Sequence, residues 1–139
     1  MSGVVHVSAA VIVSTDGRAL IVRKHGAVVF QQPGGKPDPG ESATDAVLRE
    51  VAEETGIRAA VEDLVALGRF EEAAANEPGH RVVADAYLLR VGEAHAQASA
   101  EIAELRWITE DDVASTPLAP LSRTHLIRVA WSGVADVDV

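Results

Sequence analysis

Three glutamates, Glu50, Glu53 and Glu54, stand at i, i+3 and i+4 in a stretch of strong helix formers. On a helix that spacing gathers their carboxylates on one strip roughly 100° wide. Val47, Leu48 and Val51 cluster on the other side, which assigns that side to a core. Like charges so placed cost a few tenths of a kcal/mol per pair, and the C-terminal half of a helix is the unfavourable end for anions. A cation held among the carboxylates would offset both costs, and a hard divalent ion takes oxygen donors of this kind. Ala43 and Ala46 share the strip, and their small side chains are expected to leave a depression in which a hydrated ion fits. Taken alone, the strip also reads as an ordinary solvated face.

The stretch ahead of the helix carries its own chemistry. From Gln31 to Glu41 it holds Pro33, Gly34, Gly35, Pro37, Pro39 and Gly40, which exclude regular structure over most of its length. Gly34 and Gly35 can turn backbone groups toward a ligand in conformations closed to residues with a Cβ. Glu41 sits just before the helix and Arg49 two turns into it, where a fork-shaped guanidinium pins a carboxylate in orientation. Arg23 and Lys24 precede the loop and are candidate contacts for substrate phosphates, or a solvated strand end. Phe30, Phe70 and Tyr87 are the rings available to stack on a base, with core packing as their other role. Trp107 and Trp131 read as core. His25, His80, His95 and His125 share no metal-ligand spacing, so no zinc site is expected.

A frame must position these groups. Val4 to Val13 is apolar and β-branched, Asp16-Gly17 turns the chain, and Ala19 to Arg23 completes a hairpin. Ser42 or Thr44 caps a helix that runs to Thr55 and stops at Gly56. Strands are expected over Val61 to Phe70 and Arg81 to Val91, joined by a turn at Asn76-Glu77-Pro78-Gly79, and again over Ile102 to Ile108. Gly92 to Ala100 has no clear period. Thr109, with Asp112 three residues on, opens a short helix, and Leu121 to Trp131 carries a helical pattern to Gly133. The fold class is therefore α+β, a sandwich of helices on a mixed sheet in one domain spanning residues 1–139.

Composition narrows the function. The 139 residues carry a formal charge of −9, the wrong sign for coating nucleic-acid backbone without sequence preference. No apolar run reaches the roughly 18 residues needed to span a bilayer. The absence of cysteine excludes disulfides and thiolate catalysis, and together with a start unlike a signal peptide points to a cytoplasmic location. A homodimer is compatible with all of this.

The sequence of Gly35, five residues, Glu41, seven residues, then Arg49-Glu50-Val51-Ala52-Glu53-Glu54-Thr55-Gly56-Ile57 resembles the Nudix box at every position. The resemblance implies the family's αβα sandwich with a central mixed sheet. It also implies hydrolysis of a pyrophosphate linkage in a nucleoside diphosphate-linked compound, by attack of water on phosphorus with Mg²⁺, or Mn²⁺ in its place. Glu50, Glu53 and Glu54 would ligate the metal with help from the Gly35 carbonyl, Arg49 and Glu41 would orient them, and Glu53 is favoured for positioning the water. A further carboxylate from outside the box often joins such sites, and Glu101 and Glu104 are the candidates. Gly34 and Gly35, with Arg23, Lys24 and Phe30, would contact the substrate. Markers of the dinucleoside polyphosphate, ADP-ribose and coenzyme A groups are missing, which leaves the small mutator-type group acting on nucleoside triphosphates. The stretch Thr116 to Pro120 lacks the asparagine used to read oxidised guanine. A different diphosphate-linked substrate, such as ADP-ribose or an RNA 5′ end, and a non-catalytic nucleotide sensor are the alternatives.

Overall fold

The computed structural model describes residues 3–74 and 78–133. Its strands are β1 (Val4–Val13), β2 (Ala19–Lys24), β3 (Gly34–Gly35), β4 (Leu64–Ala73), β5 (Arg81–Arg90) and β6 (Ile102–Ile108), with one α-helix, α1 (Ala43–Thr55). They form one sheet in the order β4-β5-β1-β2-β6, and β3 pairs with β1. The sheet is mixed: β1 runs parallel to β5 from Val4↔Arg81 to Val13↔Arg90, and the other pairings are antiparallel.

Every residue of β1 from Ser8 to Val13 is buried, so this strand is covered on both faces and has no polar alternation there. Because side chains alternate across a strand, Ala9, Val11 and Val13 enter one core with Leu126, Ile127 and Ala130. Ala10 and Ile12 enter a second core with Val47 and Val51 of α1. Two helical layers thus sandwich the sheet, as the α+β reading expects.

Several expected elements take a different form. The strand anticipated from Val61 begins at Leu64, because Val61–Asp63 coils into a 3₁₀ turn whose Asp63 carboxylate accepts the Ala60 N–H at 2.9 Å. Asn76 and Glu77 of the anticipated turn lie outside the described residues; Ala73 and Arg81 pair on either side of it. The helix after Thr109 is a 3₁₀ helix, Glu110–Ser115, with the Asp112 carboxylate accepting the Thr109 N–H at 2.9 Å. The C-terminal helical segment winds wide over Ser122–Leu126 and tight over Ile127–Trp131. Trp107 and Trp131 are partly buried against the cores rather than enclosed, and Trp131 Nε1 donates to the Gly17 carbonyl at 2.8 Å. No helix among the described residues is long and apolar enough to cross a membrane.

Candidate active site

Helix α1 is delimited by its own sequence. Ser42 Oγ accepts the Asp45 N–H at 3.1 Å at the start. Gly56, at φ 76°, takes the left-handed conformation that ends the helix, and its N–H reaches the Ala52 carbonyl. The aperiodic stretch after β5 then finds a purpose: Gln97 N–H donates to the Thr55 carbonyl at 3.0 Å and Ser99 N–H to that of Glu54 at 3.1 Å. These bonds satisfy carbonyls that the helix end leaves bare. They also deliver Glu101, whose carbonyl accepts the His25 N–H at 3.0 Å, to the end of β2 beside Lys24.

The loop packs closely on its surroundings, and at Gly34, where the neighbour is backbone, only glycine fits. A Cβ on Gly34 would collide with the Ser8 carbonyl, and one on Gly35 with the Glu50 carboxylate. Gly34 N–H donates to Glu54 Oε1 at 3.1 Å. Glu54 is only 3% exposed. Burial raises its pKa to about 7, against the opposing pull of the Gly34 N–H, with the neighbouring Glu50 carboxylate adding to the rise. Burial also raises the pKa of Glu50, opposed by the Arg49 guanidinium.

Arg49 is the hub of the outer part. Its Nε and Nη2 donate to Glu41 Oε2 and Oε1, both at 2.9 Å, a bidentate pair. Asp38 N–H donates to Glu41 Oε1 at 2.8 Å. The hydrogen bond from Arg49 lowers the Glu41 pKa to about 2, and Glu41 in turn raises that of Arg49. Arg49 also donates to the Lys36 carbonyl and Glu53 Oε1, both at 3.2 Å, and lies 3.4 Å from Glu50. One guanidinium therefore ties the loop to the helix.

A cleft of about 470 Å³ opens from these groups, lined by Lys24, Gly34, Gly35, Glu50 and Glu101 at one end and by Leu121, Ser122 and Leu126 of the C-terminal segment at the other. Its donors at the acidic end are all oxygen, the set a hard divalent cation takes. Glu54 lies behind that wall rather than on it, its Oε1 accepting the N–H of the lining residue Gly34. Among the described residues, no three His, Asp or Glu side chains already stand close enough to enclose one. The Glu53 side chain is 52% exposed and pairs with Arg49 at 3.2 Å. Ala46 is fully buried, so it leaves no open depression of the kind expected.

Three expectations are corrected. Arg23 does not line the cleft. It pairs with Glu104 at 3.4 Å and donates to the Ala27 carbonyl at 3.1 Å, because a bulge between Arg23 and Lys24 sets Arg23 opposite Glu104 and Lys24 opposite Ile102. Glu104 is thereby removed from candidacy, held also by Arg106 at 2.9 Å, and of the two acidic candidates only Glu101 borders the cleft. Phe30 is 2% exposed, sits in the core, and has the Arg106 guanidinium 4.6 Å from its ring centre. It has no free face for a base. Phe70 and Tyr87 likewise pack against the cores. Ser8, Gln32 and Ser122 also line the cleft, and as isolated polar residues they carry no periodic signal in the sequence.

Residues 4–129 match the family model described as NUDIX domain. The chain is 31% identical over 105 residues to the MutT-like protein of Streptomyces ambofaciens, covering 76% of this chain and 64% of that one. It is 30% identical over 116 residues to the CTP pyrophosphohydrolase of Escherichia coli (strain K12), covering 80% and 81%. Among solved structures, the MutT NUDIX hydrolase from Burkholderia pseudomallei superposes with a TM-score of 0.71 at 30% identity, over 91% of this chain and 95% of that one. The relatives are matched over differing shares of their length, from less than half to about four fifths.

Proposed function

The chain belongs to the Nudix family of pyrophosphohydrolases, and from that premise we propose that its substrate is a nucleoside triphosphate, cleaved at a pyrophosphate linkage by water in the presence of Mg²⁺ or Mn²⁺. The observation that carries this reading is the pairing of Glu50 and Glu101 on the wall of a nucleotide-sized cleft, backed by the Glu54 carboxylate, which is 3% exposed, accepts the Gly34 N–H and among the described residues meets no arginine. A relative named for CTP, at 30% identity, supports the triphosphate.

The divalent ion would supply charge stabilisation on the transferring phosphoryl oxygens and would be held by Glu50 and Glu54, with Glu53 and Glu101 as further donors. Lys24 gives the same end of the cleft a positive charge for a phosphate oxygen. Arg49 is fully engaged with Glu41, Lys36 and Glu53, so its part is to fix the loop and the carboxylates in place. Glu53, half-exposed and paired with Arg49, is the carboxylate to which this reading gives the positioning of the water.

Release of phosphate or pyrophosphate from a panel of nucleoside triphosphates, with and without magnesium, tests the proposal. Turnover is expected only with the metal, and Glu50→Gln, which keeps the side-chain volume, is expected to lower kcat on the order of a hundredfold. Equal rates with and without magnesium would refute it.

A further inference from the structure

Four buried side-chain atoms among the described residues lack a hydrogen-bond partner: Ser8 Oγ, Gln32 Nε2, Trp107 Nε1 and Ser122 Oγ. Three of the four residues, Ser8, Gln32 and Ser122, line the same cleft. They are 0%, 5% and 1% exposed and come from β1, the loop before α1 and the C-terminal segment, three parts of the chain remote in sequence. Burying a donor or acceptor without a partner is more costly than burying an apolar atom of the same shape. A fold that bears this cost three times around one cavity is prepared for a ligand that supplies the missing partners.

The remaining wall says what kind of ligand. Val5, Val7, Val82 and Leu126 are aliphatic, and none of the described residues lining the cleft is aromatic. A flat heterocycle entering there finds enclosing apolar side chains but no ring on which to stack. Taking the nucleoside triphosphate reading as given, we propose that Ser8, Gln32 and Ser122 select the substrate by hydrogen bonding the polar edge of its nucleobase. The Gln32 carboxamide presents a donor and an acceptor side by side, which complements the paired donor and acceptor on a base edge. Each serine hydroxyl donates or accepts as that edge requires. Selectivity built in this way is steep, because a ligand without the edge leaves the three groups as they are now, buried and unmet.

The test compares a non-hydrolysable nucleoside triphosphate with inorganic tripolyphosphate, both titrated calorimetrically in magnesium. Gln32→Leu is expected to weaken the nucleotide about tenfold, and Ser122→Ala by several-fold, with a much smaller change for tripolyphosphate, which has no base. Both variants are expected to raise the melting temperature of the ligand-free protein, since each deletes a buried orphan. Ser122→Ala removes a single oxygen and keeps the test decisive if Gln32→Leu does not fold. Parallel loss of both ligands, or no loss, would overturn the assignment of these residues while leaving the nucleotide reading intact. Wild-type protein that binds tripolyphosphate but no nucleoside triphosphate would overturn both.

Discussion

Glu54 and Glu41 are both carboxylates of the same site, and their surroundings push them in opposite directions. The raised pKa of Glu54, about 7 against an ordinary 4.5, means that the folded protein binds its proton more tightly than the unfolded chain does. The associated stability is complete below pH 4.5 and is lost as pH rises toward 7, a difference on the order of 3 kcal/mol. Glu41 behaves conversely: its lowered pKa contributes stability above pH 4.5 that disappears as pH falls toward 2. Thermal melts of metal-free protein are therefore expected to weaken from pH 5 to 8 in the wild type and to weaken less in Glu54→Gln. Magnesium, which requires the deprotonated carboxylate, is expected to bind more tightly as pH rises through about 7. A wild-type melt that is flat over that interval would contradict the burial argument.

At the scale of elements, strand and helix do different work. Helix α1 presents Val47 and Val51 to the core and Glu50 and Glu54 to the glycine loop, so the packing that buries its apolar side also sets the height of its carboxylates. The bulge at the end of β2 is the sharper device. By shifting register between Arg23 and Lys24 it commits one cation to Glu104 and the other to the cleft. Lys24→Ala is therefore expected to raise KM for a nucleoside triphosphate by about tenfold, whereas Arg23→Ala is expected to leave KM near the wild-type value. Steady-state kinetics on the two variants decide it, and the reverse ranking would mean that the register is misassigned.

Considered whole, the molecule is a sheet clamped between two apolar layers, with the cleft running from α1 at one side to the C-terminal segment at the other. The C-terminal layer is held by Leu126, Ile127 and Ala130, of which Ile127 is fully buried. Ile127→Ala is expected to lower stability by about 2–5 kcal/mol in urea denaturation. Because Ser122 and Leu126 border the cleft from this same segment, the variant is also expected to weaken nucleotide more than tripolyphosphate. An effect below about 1 kcal/mol would show that the segment contributes little to the core.

Much of this was legible in the chain alone. The limits of α1, the β1–β2 hairpin, the loop and the pairing of Glu41 with Arg49 follow from residues near one another in sequence, where caps, periodicity and glycine act locally. What sequence left open was decided by groups far apart. Glu101 borders the cleft and Glu104 does not, Phe30 is enclosed with Arg106 against its ring, and Ser8, Gln32 and Ser122 meet around one cavity. Strand register, burial and the loss of a hydrogen-bond partner are properties of surfaces brought together, and a local pattern carries no record of which surface will arrive.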